Sequence, residues 1–203
     1  MRIAITTAIL GILLAAAPNG RATAWAGASD SLDRAFAQDG KIRMDLSAGD
    51  YEIVGRKDEH IRLEWSVQDS EALSRVRAAA DVRGSEAGIS ASGPSNKNFR
   101  VRVEVPERSH LVVRLTAGDI RIEGVRGNKD VELHAGDMSI DIGSAADYNK
   151  VDASSWAGDI HAEPFGVDKG GLFRSFDWKG TGPFRLHTKL KAGDIRLYSK
   201  AAL

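Results

Sequence analysis

The sequence predicts an all-β, single-domain β-solenoid with an N-terminal strand-rich cap or insertion. Three observations point there. The tripeptide Ala-Gly-Asp occurs five times, ending at Asp50, Asp119, Asp137, Asp159 and Asp194. Around each copy apolar and polar residues alternate, the period of a strand with one face inward and one in water. The interval is 18 residues from Asp119 to Asp137 and 22 from Asp137 to Asp159, which suits a repeating unit of one corner and two strands. One such winding cannot bury its inner face alone, whereas stacked windings share a continuous apolar column. A row of separate hairpins is the rival architecture, but it gives no reason for an identical turn phrase at a near-constant interval.

The elements follow in chain order. Residues 1–26 read as an export signal: Arg2 supplies a positive start, Ile3 to Ala17 form an apolar run, and small-x-small endings follow at Ala22-Thr-Ala24 and Ala24-Trp-Ala26. That run is short against the roughly 20 apolar residues of a permanent span. Residues 27–39 read as a flexible leader with a marginal helical turn around Leu32 to Ala37. The domain proper is expected over 40–203. With no cysteine in the chain, burial and hydrogen bonds must hold it together. The 203 residues carry 28 basic and 28 acidic side chains, and two of the basic ones, Arg2 and Arg21, lie in the signal-like segment. A slightly acidic remainder gives no electrostatic reason to bind nucleic acid or anionic lipid. Membrane insertion after signal cleavage is not expected.

The first copy predicts inward positions at Met44, Leu46, Tyr51 and Ile53. Residues 55–110 break the period and read as inserted or capping strands covering one open end of the stack. HIRLEWSV and FRVRVEV alternate as strands, the second stopped by Pro106, and SGPSNKN reads as a loop. The stretch SEALSRVRAAADVRG fits a helix or a strand equally. The next three copies place Val113, Leu115, Ile120 and Ile122 inward, then Val131, Leu133, Met138 and Ile140, then Ala153, Ser155, Ile160 and Ala162. The last places Thr188, Leu190, Ile195 and Leu197 there. The 35 residues from Asp159 to Asp194 fit two shorter windings with one turn phrase lost around Phe176 to Gly180.

With the repeats laid out, the chain resembles a family of exported bacterial proteins described as candidate adhesins, a domain of unknown function with a β-solenoid fold. The resemblance covers residues 41–199 and rests on the signal peptide, LSAGDYEIVG, HIRLEWSV, VEVPERSHLVVRLTAGDIRIEGVRG, LHAGDMSIDIG, SSWAGDIHAE and LKAGDIRLYS. It departs from the pattern at Ser155, where other copies have Leu, and where the turn phrase is missing. The resemblance implies envelope or surface interaction and brings no catalytic residues.

The candidate residues are the corner turns themselves: Gly49, Asp50, Gly118, Asp119, Gly136, Asp137, Gly158, Asp159, Gly193 and Asp194. Gly supplies backbone angles other residues avoid, and Asp hydrogen-bonds to nearby amides. Stacked carboxylates one strand apart, roughly 4.8 Å, would repel, and bound Ca²⁺ could offset that. The Ca²⁺-binding phrase G-G-x-G-x-D is richer in glycine, so structural Asp is the better reading and no metal or cofactor is expected. His60, His110, His134, His161 and His187 read as scattered surface residues, without helical i, i+4 pairs. Trp156, Phe165, Phe173, Phe176, Trp178 and Phe184 read as core fillers, with Trp178 the first to be exposed and able to stack on a sugar. Arg121, Ser139, His161 and Arg196, and Glu123, Asp141 and Glu163, form outward rows.

No G-x-S-x-G, H-E-x-x-H or Walker-type loop is present. The reading is a non-catalytic exported protein of the periplasm or cell surface, a binding or structural module with an envelope or extracellular protein or glycan as partner. The alternative is a carbohydrate-active β-helix enzyme of lyase or hydrolase type, with Asp119 and Asp137 as its acidic groups.

Overall fold

The computed structural model describes residues 27–94 and 98–200; the export signal expected over 1–26 lies outside them. Strands β1 (Ala28–Ala35), β2 (Gly40–Leu46), β3 (Asp50–Arg56) and β4 (His60–Val67) come first. A single helical turn α1 (Ser70–Leu73) precedes β5 (Arg77–Arg83), β6 (Glu86–Ser92) and β7 (Arg100–Pro106). Then come β8 (Ser109–Ala117), β9 (Ile120–Glu123), β10 (Lys129–Ala135), β11 (Met138–Asp141), β12 (Tyr148–Ala157) and β13 (Ile160–Ala162). The chain closes with β14 (Val167–Lys169), β15 (Leu172–Lys179), β16 (Phe184–Ala192) and β17 (Ile195–Tyr198). The protein is all-β, built from two mixed sheets.

Each Ala-Gly-Asp copy is strand, corner, strand, and the corner carries the chain from one sheet to the other. One sheet runs β1-β4-β7-β3-β9-β11-β17-β13-β14 and the other β15-β12-β16-β10-β8-β2-β6-β5. The strand pairs β6/β7, β2/β3, β8/β9, β10/β11, β16/β17 and β12/β13 thus stand in the same order in both sheets, with parallel neighbours throughout. Parallel strands buried on one face against a second sheet need an apolar residue at every other position. The sequence supplies it: Ile122 pairs with Ile140 and Ile140 with Leu197, all three fully buried. Every inward position predicted from the five copies is buried, including the polar Ser155 and Thr188.

Two expectations are corrected and one open reading is resolved. First, spatial neighbours are not all successive copies. The last copy, β16/β17, lies between β10/β11 and β12/β13. The cause is the missing turn phrase: instead of another parallel winding, residues 163–179 reverse direction and pair antiparallel as β14 on β13 and β15 on β12. That occupies the far flank of β12/β13 and leaves its near flank for the returning chain. Second, residues 28–35 are not a flexible leader. They pair antiparallel with β4 along all of β1, and the following Phe36 is buried. Ser29, Asp30, Ser31, Asp33 and Arg34 keep this edge strand polar, which discourages further pairing. Third, the ambiguous stretch after β4 is both helix and strand: Asp69 caps α1 by accepting from the Ala72 amide at 2.8 Å, and β5 follows.

The block at 55–110 covers one end of the stack. Its β6 and β7 add a parallel layer beside β2 and β3, and β4, β1 and β5 close that end with antiparallel pairing.

Candidate functional site

The corners form one continuous row. In space the glycines run Gly49, Gly118, Gly136, Gly193, Gly158. A Cβ on Gly118 would stand 2.1 Å from the Gly49 carbonyl oxygen, and one on Gly136 2.1 Å from that of Gly118. The next two contacts, Gly193 on Gly136 and Gly158 on Gly193, would be 2.0 and 1.9 Å. These four glycines also have φ between 104° and 133°, which L side chains rarely adopt. Gly at this place is required twice, by backbone angle and by the next layer's carbonyl.

The aspartates follow the same order. The amide of Asp137 donates to the Asp119 carboxylate at 3.0 Å, that of Asp194 to Asp137 at 3.0 Å, and that of Asp159 to Asp194 at 2.8 Å. The Gly171 amide ends the row on the Asp159 carboxylate at 3.0 Å. At the other end Asp50 lies 3.8 Å from the Arg100 guanidinium. The flanking backbone continues the sheet ladder through the corner: Gly136 donates to Ala192 and Met138 to Asp194, each repeated at the other copies. Each corner carboxylate from Asp119 to Asp159 therefore accepts an amide that would otherwise point at the next corner unbonded.

On one outer face Glu52, Arg121, Ser139, Arg196 and His161 form a lateral row, with Arg196 between Ser139 and His161. His161 reaches Asp168 at 2.9 Å. In the next row Glu123 accepts from the Tyr198 hydroxyl and the Lys200 ammonium, both at 3.1 Å. Desolvation pushes the Glu123 carboxyl up, but the bonds from Lys200 and Tyr198 and the charges of Lys200 and Arg121 outweigh it and hold it low. Burial beside this carboxylate pushes Tyr198 up to about 12. Asp141, read from the sequence as an outward residue, is buried, its carboxylate accepting from the amides of Gly143 and Lys200.

The opposite face holds what the sequence reading missed. Asp130, Glu132 and His187 bring one ligand atom each within 4.8 Å of one another. An imidazole with two carboxylates is a donor set for a divalent transition metal. Here Arg114 already bridges Asp130 at 2.9 Å and Glu132 at 3.4 Å, and His187 bonds Asp152. A cation would have to displace that guanidinium, so the geometry is that of an ion-pair network. The signal was available: Asp130, Asp152 and His187 each stand seven residues before their corner Asp, so a common register brings them side by side.

The aromatic residues divide differently from expectation. Phe176 is buried, and Phe165 packs against Phe176 and Trp178, which is only half-exposed. Trp156, Leu172 and Phe173 are the exposed large apolar side chains among the described residues, at 58%, 63% and 70%.

No family profile and no curated protein matches this chain. Among solved structures it is similar to a candidate cell adhesion protein from Clostridium sporogenes, with TM-score 0.57 and 13% identity over 85% of this chain and 100% of that one. A candidate adhesin from Parabacteroides merdae matches over 85% of this chain and 97% of that one, at TM-score 0.31 and 14% identity. At 13% identity the first likeness is one of fold: this chain has the two-sheet all-β architecture of the clostridial protein.

Proposed function

We propose that the chain is an exported, non-catalytic protein of the cell envelope, an adhesin-type binding or structural module. In this reading the parallel stack is a β-solenoid, residues 1–26 are its export signal, and the Ala-Gly-Asp corners are architectural. The observation that carries it is the corner row. The most regularly repeated acidic groups spend their carboxylates on the next layer's amides, which accounts for the motif without chemistry. Asp119 and Asp137, the acidic groups of the enzyme alternative, are both committed in this way. The clostridial likeness supports an adhesive role by the description that protein carries. Among the described residues no helix is long and apolar enough to cross a membrane.

Two measurements test this. N-terminal sequencing of protein recovered from the envelope or medium should find a start at Gly27, or at Trp25 where the earlier small-x-small ending is used, and the purified protein should bind isolated envelope saturably. An unprocessed chain confined to the cytoplasm, or an absence of envelope binding, contradicts the proposal. EDTA should leave the melting temperature unchanged, because amides rather than Ca²⁺ satisfy the Asp row. A fall of several degrees, restored by Ca²⁺, would make the corners a metal site.

A further inference from the structure

The outer face carrying β10, β16, β12 and β15 has a surface that the fold does not require. Trp156 and Phe173 meet edge to face, ring centroids 5.9 Å apart at 68°, both largely in water beside the exposed Leu172. Phe173 is held at φ 55°, an unfavourable conformation for a bulky residue. A strained backbone that places a phenyl ring in solvent has no packing reason. The common register sets Trp156 beside Lys191, then His134 and Thr116, one lateral residue per strand. Ser154, Lys189 and Glu132 form the adjoining row. Among the described residues, Lys189 and Lys191 make no ion pair, whereas the nearby acids are occupied: Asp130 and Glu132 by Arg114, Asp152 by His187 and Lys150.

We propose that Trp156 and Phe173, with Lys189 and Lys191, form a platform for an acidic polysaccharide lying across the strands. The chemistry selects that partner in three ways. Exposed rings stack on the apolar C–H face of a pyranose. Two unpaired ammonium groups beside them complement sugar carboxylates. Strands spaced roughly 4.8 Å apart offer a lateral side chain at about each sugar step of an extended chain. A largely polar sheet face suits such a polymer better than a protein, which would require a larger apolar core to the interface. This inference rests on the envelope-binding role proposed above and names the class of its ligand.

The test uses alginate, a polyuronate, against neutral dextran, with the purified protein. The protein should retain alginate and not dextran, with affinity falling as salt rises. Trp156→Ala and Lys189→Ala/Lys191→Ala should each weaken binding about tenfold or more, about 1.4 kcal/mol, with the fold unchanged by circular dichroism. Phe173→Gly is the sharper variant, because glycine accepts the positive φ: it should keep or raise the melting temperature while weakening alginate binding. Unaltered alginate binding in all three variants overturns the platform, as does equal binding to dextran, or a dimer that Trp156→Ala dissociates. Envelope binding that persists while alginate binding is absent overturns the platform alone; loss of both overturns the envelope role.

Discussion

Lys129 shows what a single side chain can reveal about this fold. It stands eight residues before its corner Asp, where the other copies have Ile42, Leu111, Val151 and Leu186, so its inward direction is set by the register. It is 2% exposed and donates to the Tyr148 hydroxyl at 2.8 Å. Burial lowers its pKa to about 8, with the charges of Asp141 and Asp147 working in the other direction. The folded pKa is below the unfolded value, so between about pH 8 and 10 the unfolded chain holds the extra proton. Stability should therefore rise with pH across that window. Above it, Tyr51 and Tyr148, whose hydroxyls burial keeps protonated, reverse the trend. Urea denaturation at pH 7 and 9.5 should show the rise, and Lys129→Met should flatten it. A profile unchanged by that substitution would mean the ammonium is not the source. An inward Lys in an aliphatic column was visible in the sequence; its consequence needed the depth of the column.

At the scale of the element, the Ala-Gly-Asp corner was legible and its mechanism was not. Period-two alternation placed Ile122, Ile140 and Leu197 inward because a strand allows only two faces, and all three are buried. The sequence could not show that the carboxylates of Asp119, Asp137 and Asp194 each bond the amide of a different copy, since that depends on which copies touch. The glycines give the most direct test of the element. Gly136→Ala places a Cβ against the Gly118 carbonyl at a φ of 125°, so it should cost at least ~2 kcal/mol in chemical denaturation. Gly88→Ala in β6 is the control: no atom lies within 4 Å of its Cβ, and ordinary φ lets alanine gain a few tenths of a kcal/mol. Equal effects at the two positions would remove the corner's special role.

At the scale of the whole molecule, the stack obeys its repeat but not its chain order. Offsets from each corner Asp fix which side chains share a lateral row, and those offsets are written in the sequence. Which copies are neighbours is decided by the ends, where β4, β1 and β5 at one side and β14 and β15 at the other turn antiparallel. The histidine, lysine and tryptophan positions on the outer face became neighbours through that reordering, which is why composition and motif gave no sign of the platform. Because the chain contains no cysteine, engineered pairs report the order cleanly. Ser139 lies beside Arg196, and His161 lies on the far side of Arg196. The measurement is oxidation of two double variants, Ser139→Cys/Arg196→Cys and Ser139→Cys/His161→Cys, followed by mapping of intramolecular disulfides. The first pair, about one strand spacing apart, should form a bond, and the second, about two spacings apart, should not. A bond in the second pair and none in the first would mean that successive copies are stacked in chain order, and the corner row described above would be wrong.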